Sequence, residues 1–287
     1  MDVSELPAPT GPWSLTDIDP SATPGWSEGK AAGRAHLESL GPELADLQER
    51  LFAEGRTRPG ARRVLLVLQG MDTSGKGGTV RKVMRLLDPQ GVRVASFSSP
   101  TPEELSHDFL WRVRPRVPAP GQVGVFDRSH YEDVLIARVR SLVPADEVER
   151  RYAAIRDFEA ELVAGGTRVV KVLLHVSPDE QRRRLLERLD DPTKHWKFSP
   201  ADIDDRALWA DYQRAYEIAV ERTTTPDAPW FVVPAESKWY RNLAVASLLL
   251  RELRALDLEW PSASFDPDEQ RRRLVDADPL ATAAEQA

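Results

Sequence analysis

The sequence predicts an α/β fold in which a five-stranded parallel sheet is covered by helices on both faces. Short apolar runs alternate with amphipathic segments from residue 62 to residue 256. This alternation is typical of parallel sheets, because each connecting helix must lie on a face of the sheet. Ligands of such sheets bind beyond the carboxyl ends of the strands. The predicted strands are Val64–Gln69, Val92–Phe97, Gln122–Phe126, Thr167–Val176 and Trp230–Val233.

The predicted helices have apolar side chains at three- and four-residue spacing, which places them on one face. They are Ala35–Ala53, Lys76–Leu87, Pro102–Arg112, Asp146–Ala164, Pro178–Leu189, Ile203–Arg222 and Tyr240–Leu256. The first contains Gly41-Pro42, a pair that can break it into two helices. The octapeptide PDEQRRRL occurs at 178–185 and again at 267–274. Each copy follows a capping residue and starts with proline, so the repeat predicts two helix starts and not a duplicated module.

Three segments of different composition are expected along the chain. Residues 1–34 are rich in Pro, Gly, Ser and Thr and predict an extended arm, which packs at least partly through Trp13 and Trp26. Residues 35–260 hold all the predicted strands and form one domain. Residues 261–287 form a tail that is expected to fray from about Val275.

Composition excludes several classes of protein and site. The chain has 287 residues, no cysteine and a formal net charge of −7. Disulfides, thiolate metal sites and cysteine nucleophiles are therefore excluded, and a cytoplasmic protein is expected. The longest apolar stretch, Leu243–Leu250, is too short to span a bilayer, and the N-terminus lacks the pattern of a secretion signal. The negative charge argues against a nucleic-acid partner, although it allows a local basic patch.

A glycine-rich turn, Gly70–Thr79, directly follows the first strand. Gly70, Gly75 and Lys76 match the phosphate-binding pattern of Gly, four residues, Gly and Lys, but Gly77 stands where a Ser or Thr is usual. Backbone N–H groups, the helix N-terminus and the lysine would together bind phosphate. The alternative is a tight turn with a solvated Lys76. The predicted phosphate ligands of the turn are Gly70, Thr73, Ser74, Gly75, Lys76, Gly77, Gly78 and Thr79.

Two acidic residues suggest a metal ion beside this turn. Asp72 would repel phosphate unless a cation lay between them, and Asp127 ends an apolar strand where nucleotide-binding folds hold Mg²⁺. We therefore expect Asp72 and Asp127 to share Mg²⁺, with Mn²⁺ as a substitute. Arg128 follows and can bind phosphate oxygens with its planar fork. Alternatively, Asp127 caps the next helix and Arg128 pairs with Glu132.

The segment Gln181–Pro200 is strongly basic, with four arginines and two lysines. It can close as a lid over a phosphate-rich substrate. The alternative is a solvated helix face on which Glu180 pairs with Arg184.

Strand, loop, acidic strand end and lid together resemble the small P-loop kinases, which are three-layer α/β sandwiches. The resemblance narrows to the type-2 polyphosphate kinase family over about residues 15–260. It is carried by the runs LQGMDTSGKGGTVRKV, SHDFLWR, VFDRSHYEDVL, ERLDDPTKHWKFSPADIDDRALWADY and ESKWYRNLAV, in that order.

This resemblance implies that inorganic polyphosphate donates its terminal phosphoryl group to ADP and AMP, reversibly and with Mg²⁺. It also implies residue roles. Asp72 and Asp127 resemble the metal carboxylates, and Lys76 and Arg128 the phosphate ligands. Glu132, the acidic residue after Tyr131, fits members that accept both nucleoside mono- and diphosphates. The implied contacts of the lid, about residues 182–205, are Arg182, Arg183, Lys194 and Lys197.

Two other functions remain open at this point. One is a nucleoside monophosphate kinase that uses ATP as its donor, and the other is a nucleotide- or polyphosphate-binding protein without catalysis. The arm and the leucine-rich first helix favour a homo-oligomer.

Overall fold

The structure, a computed structural model, describes residues 1–6, 11 and 13–277. Its centre is an all-parallel sheet with the strand order β2-β3-β1-β4-β5. The strands are β1 Arg63–Gln69, β2 Val92–Ser96, β3 Val123–Asp127, β4 Thr167–His175 and β5 Trp230–Pro234. All five predicted strands are present, and the predicted α/β class is confirmed.

Helices cover both faces of the sheet. They are α1 Gly29–Ser39, α2 Gly41–Thr57, α3 Lys76–Val83, α4 Pro102–Leu105, α5 Glu132–Val139, α6 Ala145–Ala164, α7 Pro178–Asp190, α8 Ala201–Ala207, α9 Trp209–Thr223, α10 Lys238–Arg254 and α11 Pro267–Asp276. Alternate residues of β1 face the two layers: Val64 and Leu66 pack with α10, whereas Leu65 and Val67 pack with α6 and α9. Burial on both faces explains why β1 is an unbroken apolar run.

Two predicted helices differ from the observed ones, and one observed helix was not among the predictions. The helix predicted at Pro102–Arg112 ends at Leu105, because the Asp108 carboxylate accepts a hydrogen bond from the Leu110 N–H and starts a separate turn. The helix predicted at Ile203–Arg222 is two helices, α8 and α9, that meet at Leu208. Helix α5 was not among the predicted helices; a helix after β3 appeared only in the alternative in which Asp127 caps it and Arg128 pairs with Glu132.

The first predicted helix is divided at Leu40, directly before Gly41-Pro42. Helix α1 begins at Gly29, so the last residues of the predicted arm are helical. The sequence did not predict this start, because Gly29 and Gly33 lie in the first turns of α1 and glycine disfavours a helix. Gly33 is required for packing: a Cβ there would lie 2.3 Å from the Trp239 ring. Helix α1 therefore lies directly on α10.

The described part of the arm is held against the domain. The Val232 N–H donates to the Leu6 carbonyl at 3.1 Å, and Leu15 is buried. Of the tail, α11 is exposed, while residues 278–287, which include most of the segment expected to fray, lie outside the described residues. The division at residues 34 and 260 and the homo-oligomer stay predictions. No helix in the described parts of the chain has the length and hydropathy of a membrane span.

His175, at the end of β4, predicts a pH dependence of stability. Burial lowers the pKa of His175, against smaller opposing effects of the Ile18 backbone and the Glu236 carboxylate. The folded state therefore prefers the neutral ring, and its stabilising effect is complete above the unfolded pKa of about 6.5 and declines as the pH falls below it. We expect the free energy of unfolding to fall more steeply from about pH 7 to pH 5 in the wild type than in His175→Gln. Parallel denaturant titrations measure this, and equal slopes would contradict it.

Candidate active site

The glycine-rich turn connects β1 to α3 at the carboxyl edge of the sheet. Gly70 and Gly75 adopt positive φ angles of 143° and 106°. A Cβ at Gly70 would lie 2.5 Å from the Leu174 carbonyl oxygen, and one at Gly75 would lie 1.8 Å from the Arg241 guanidinium. Only glycine fits at either position. Thr73 also has a positive φ, 64°, which is uncommon for a β-branched residue and marks local strain.

Two buried arginines hold this turn. Sequence reasoning considered Arg184 only as a partner of Glu180, a pair that is present but in which Arg184 is buried, and assigned no role to Arg241. Arg184 donates to the Thr73 carbonyl at 2.8 Å, to the Ala235 carbonyl at 2.8 Å and to Glu180 at 2.6 Å. Arg241 donates to the Ser74 carbonyl at 3.2 Å. Burial, with the charge of Arg184 nearby, lowers the pKa of Arg241 to about 10. The backbone of the turn is thus tied to α7, α10 and the end of β5.

Lys76 is folded back onto the turn. Its Nζ donates to the carbonyls of Gly70 at 2.6 Å and Met71 at 3.3 Å. Burial lowers the pKa of Lys76, and the negative charge of Asp72 opposes that shift. The ammonium group is therefore not simply solvated. This contradicts the alternative interpretation of a tight turn with a solvated Lys76.

Asp72, Arg128 and Glu132 form a charged cluster between the ends of β1 and β3. Arg128 contacts Asp72 at 2.7 Å and Glu132 at 3.7 Å, so the Arg128–Glu132 pair considered from sequence is present but is the longer of the two. Burial works against the charged form of Asp72, but Lys76 and Arg128 outweigh it and lower its pKa. Burial raises the pKa of Glu132 despite Arg128. Gln69 can donate to Glu132 at 3.0 Å.

Asp127 differs from these groups because its carboxylate has no ion pair or hydrogen-bond donor among the described residues. Helix α5 begins at Glu132 without a side-chain cap, so Asp127 does not cap it. The carboxylate points toward the start of α3, where a Cβ at Gly77 would lie 3.5 Å from Oδ2. The described residues contain no cluster of three or more His, Asp or Glu side chains suited to a metal ion. Any metal here would take its remaining ligands from substrate or water.

A cavity of about 930 Å³ opens in front of the turn. Eleven of its lining side chains are basic and three are acidic, a formal excess of eight positive charges in a chain with a net charge of −7. The basic residues are Lys76, Arg81, Lys82, Arg85, Arg128, Arg184, Arg188, Lys194, Lys197, Lys238 and Arg241, and the acidic ones are Asp72, Asp127 and Glu187. The basic charge is therefore local, as the charge argument allowed.

Ten of the residues singled out from sequence line this cavity. They are Asp72, Thr73, Gly75, Lys76, Gly77, Gly78, Asp127, Arg128, Lys194 and Lys197. Gly70, Ser74 and Thr79 lie behind the wall, where Ser74 and Thr79 are fully buried. Glu132 contacts the site through Arg128.

Arg182 and Arg183 are not among the residues that line this cavity, and their contact with the polymer stays a prediction. Arg183 pairs with Glu180 and Glu187 on the exposed face of α7. The same helix turns Arg184 and Arg188 toward the cavity, because residues four apart share a helix face. Arg81 and Lys82 on α3, with Arg85 in the 3₁₀ turn Met84–Leu86 that follows it, have the same three- and four-residue spacing and could have revealed the basic side of the cavity in the sequence.

The lid segment continues from α7 through a 3₁₀ helix, Pro192–Lys197. Trp196 is 79% exposed, and the Lys197 ammonium lies 4.8 Å from its ring centroid. Arg188 donates to the Lys197 carbonyl at 2.9 Å and contacts Asp202 at 3.3 Å. These bonds connect the lid to α7 and α8 while leaving its basic side chains at the cavity.

Below the cluster, a buried ion pair supports the segment that follows β3. Lys171 of β4 and Glu159 of α6 are both fully buried, with Nζ 2.6 Å from Oε2. The Tyr131 hydroxyl donates to Glu159 at 2.8 Å and lies 2.9 Å from the Thr223 hydroxyl. Tyr131 lies between Arg128 and Glu132 in the chain, so the buried pair fixes the backbone that positions both.

Comparison with known proteins gives one consistent result. The family described as Polyphosphate kinase 2 (PPK2) matches residues 27–260. The AMP/ADP-polyphosphate phosphotransferase of Meiothermus ruber is 48% identical over 88% of this chain and 93% of its own length. The ADP-polyphosphate phosphotransferase of Rhodopseudomonas palustris is 40% identical over 88% of each chain.

A solved structure agrees with these sequence matches. The crystal structure of Polyphosphate Kinase 2 from Arthrobacter aurescens TC1 has a TM-score of 0.93 and 53% identity, covering 96% of this chain and 98% of that one. Fold, loop and sequence therefore lead to one assignment. This chain belongs to the polyphosphate kinase 2 family.

Proposed function

We propose that this kinase moves the terminal phosphoryl group of inorganic polyphosphate to ADP and AMP, reversibly and with Mg²⁺. The observation that carries the proposal is the cavity, whose eleven basic side chains extend from the loop along α3 and the lid. A nucleotide brings only a few phosphate charges, whereas a linear polyphosphate brings one with every unit. Family membership and the names of the relatives support the same substrates.

The loop would hold the reacting end of the donor. Its backbone N–H groups and the N-terminus of α3 attract phosphate oxygens. Lys76 would exchange its contacts with the Gly70 and Met71 carbonyls for a phosphate oxygen, and Arg128 would do the same from Asp72. Both bonds exchanged in the reaction are phosphoanhydrides, so catalysis consists of alignment and charge neutralisation. Transfer in either direction uses the same groups.

The residues present fit a magnesium ion. Asp127 has a carboxylate without a protein partner, and Gly77 leaves room beside it. Mg²⁺ commonly uses one or two carboxylates and completes its octahedron with substrate phosphates and water. Asp127 would therefore hold the ion directly, and Asp72 would join it when Arg128 moves to phosphate. The ion supplies neutralisation of charge on the transferring group, and Mn²⁺ could replace it.

The direct test offers the purified protein polyphosphate, Mg²⁺ and ADP, without ATP. Appearance of ATP by chromatography supports the proposal. A protein that phosphorylates AMP only when ATP is added would instead be a conventional nucleoside monophosphate kinase. Tight polyphosphate binding without product would show a binding protein.

Glu132 is proposed to favour AMP as an acceptor. We expect Glu132→Gln to lower kcat/KM for AMP several-fold more than kcat/KM for ADP, because the Glu132 carboxylate contacts Arg128 and helps to set its position. Initial rates with the two nucleotides measure this ratio. Asp133→Asn, the adjacent carboxylate paired with Arg112 at 3.2 Å, serves as the matched control. If the ratio of kcat/KM for AMP to kcat/KM for ADP were the same in Glu132→Gln as in the wild type, Glu132 would have no role in the choice of acceptor.

A further inference from the structure

A second cavity, of about 340 Å³, adjoins the first on the side of α1. Lys82, Lys238 and Asn242 line both cavities, so the two share these side chains at their junction. The second cavity adds Arg34 and Glu38 from α1 and Trp239 from α10. The positive lining of the active-site cavity thus continues beyond the loop and away from the lid.

The basic side chains at this junction lack acidic partners. Arg34, Lys82 and Lys238 are exposed, and none forms an ion pair with the described residues. By contrast, the arginines of α7 at positions 183, 184 and 188 are all paired with carboxylates. Unpaired like charges placed together repel one another. An anion is the ligand class that such a surface attracts.

The position of Arg34 depends on a close helix contact. Gly33 lets α1 approach α10, since any larger residue would clash with the Trp239 ring. The same contact carries the next residue, Arg34, to the edge of the cavity that α10 lines with Lys238. This part of the site is therefore built by the packing of the amino-terminal region and not by a mobile side chain alone.

We propose that the second cavity is a distal subsite for the donor, in which Arg34, Lys82 and Lys238 bind phosphate groups of polyphosphate far from the reacting end. The inference rests on the proposed function and adds a preference for chain length. A donor long enough to leave the first cavity gains these contacts, whereas a short donor does not. The contacts do not touch the transferring group, so they lower KM for long chains without raising kcat.

The test compares tripolyphosphate with long-chain polyphosphate as donors to ADP. In Arg34→Ala we expect KM for the long chain to rise about two- to fivefold, the range for one exposed charge contact. In Arg34→Glu the rise should be larger, and Arg34→Lys should restore most of the affinity. The KM for tripolyphosphate and kcat with either donor should stay near the wild-type values. Lys30→Ala, an exposed lysine on the same helix and outside both cavities, is the control.

The decisive quantity is the ratio of KM for long-chain polyphosphate to KM for tripolyphosphate. A ratio in Arg34→Glu equal to that of the wild type overturns the distal subsite, even if both KM values change. Loss of affinity in Lys30→Ala equal to that in Arg34→Ala overturns it too, because general surface charge would then explain the effect. Failure of the wild type to make ATP from any polyphosphate refutes the proposed function instead. A direct titration of long-chain polyphosphate onto Arg34→Glu checks binding independently of turnover.

Discussion

Replacement of Lys76 by alanine is expected to lower kcat for ATP formation from polyphosphate and ADP by about 10²–10³-fold or more, the effect of removing one preorganised charge-stabilising donor. Lys76 is buried against the loop and close to Asp72, so water cannot easily supply an equivalent charge. Its only side-chain hydrogen bonds with the described residues are donated to the Gly70 and Met71 carbonyls. Initial rates at saturating donor and acceptor measure the loss.

The fold should survive this change. Arg184 and Arg241 hold the loop from behind and do not depend on Lys76. The thermal unfolding midpoint should therefore stay close to that of the wild type, and Lys30→Ala should retain activity in the same assay. Full turnover by Lys76→Ala would show that the lysine has no role in transfer.

The largest effect on stability is expected at the buried pair below the site. Glu159→Ala leaves the Lys171 ammonium without its carboxylate in the core, and removing one partner of a buried pair costs about 3–5 kcal/mol. The variant also removes one of the two acceptors near the Tyr131 hydroxyl, leaving the Thr223 hydroxyl. Denaturant unfolding monitored by tryptophan fluorescence measures the change in the free energy of unfolding.

A neighbouring ion pair on the same helix provides the control. Glu161 contacts Arg114 at 2.9 Å, but both side chains are at least half exposed, and such pairs contribute less than about 1 kcal/mol. Glu161→Ala should therefore lower the free energy of unfolding only slightly. The double variant Glu159→Leu with Lys171→Met should be more stable than Glu159→Ala, since it leaves no charge unpaired. If Glu159→Ala and Glu161→Ala lowered the free energy of unfolding equally, burial of the first ion pair would not explain its contribution.

The sheet and the phosphate loop could be predicted because their patterns are local. A strand buried on both faces must be apolar throughout, and β1 shows this in consecutive residues. Gly70 and Gly75 are required by positive φ angles within the loop itself, so they appear in the sequence as a motif. Lys76 follows from the same motif. These features need no knowledge of distant residues.

The support of the loop could not be predicted in this way. Arg184 contacts the Thr73 carbonyl across 111 residues of chain, and Arg241 contacts the Ser74 carbonyl across 167. Backbone carbonyls have no sequence pattern, so no motif marks their partners. The position of Arg184 and Arg188 at the cavity has a related cause. The rotation of α7 decides which arginines of a continuous run line the cavity, and tertiary packing sets that rotation.

The contacts of the loop cations have a consequence for turnover. Arg128 is already paired with Asp72, and Lys76 with two carbonyls, so under the proposed function phosphate would bind by exchanging partners. The affinity gained from each cation is then only the difference between two similar interactions. When product leaves, the internal partners take the cations back, which lowers the barrier to release. Each loop cation would therefore hold a phosphate only weakly, because the Asp72 carboxylate and the loop carbonyls compete with the substrate for it.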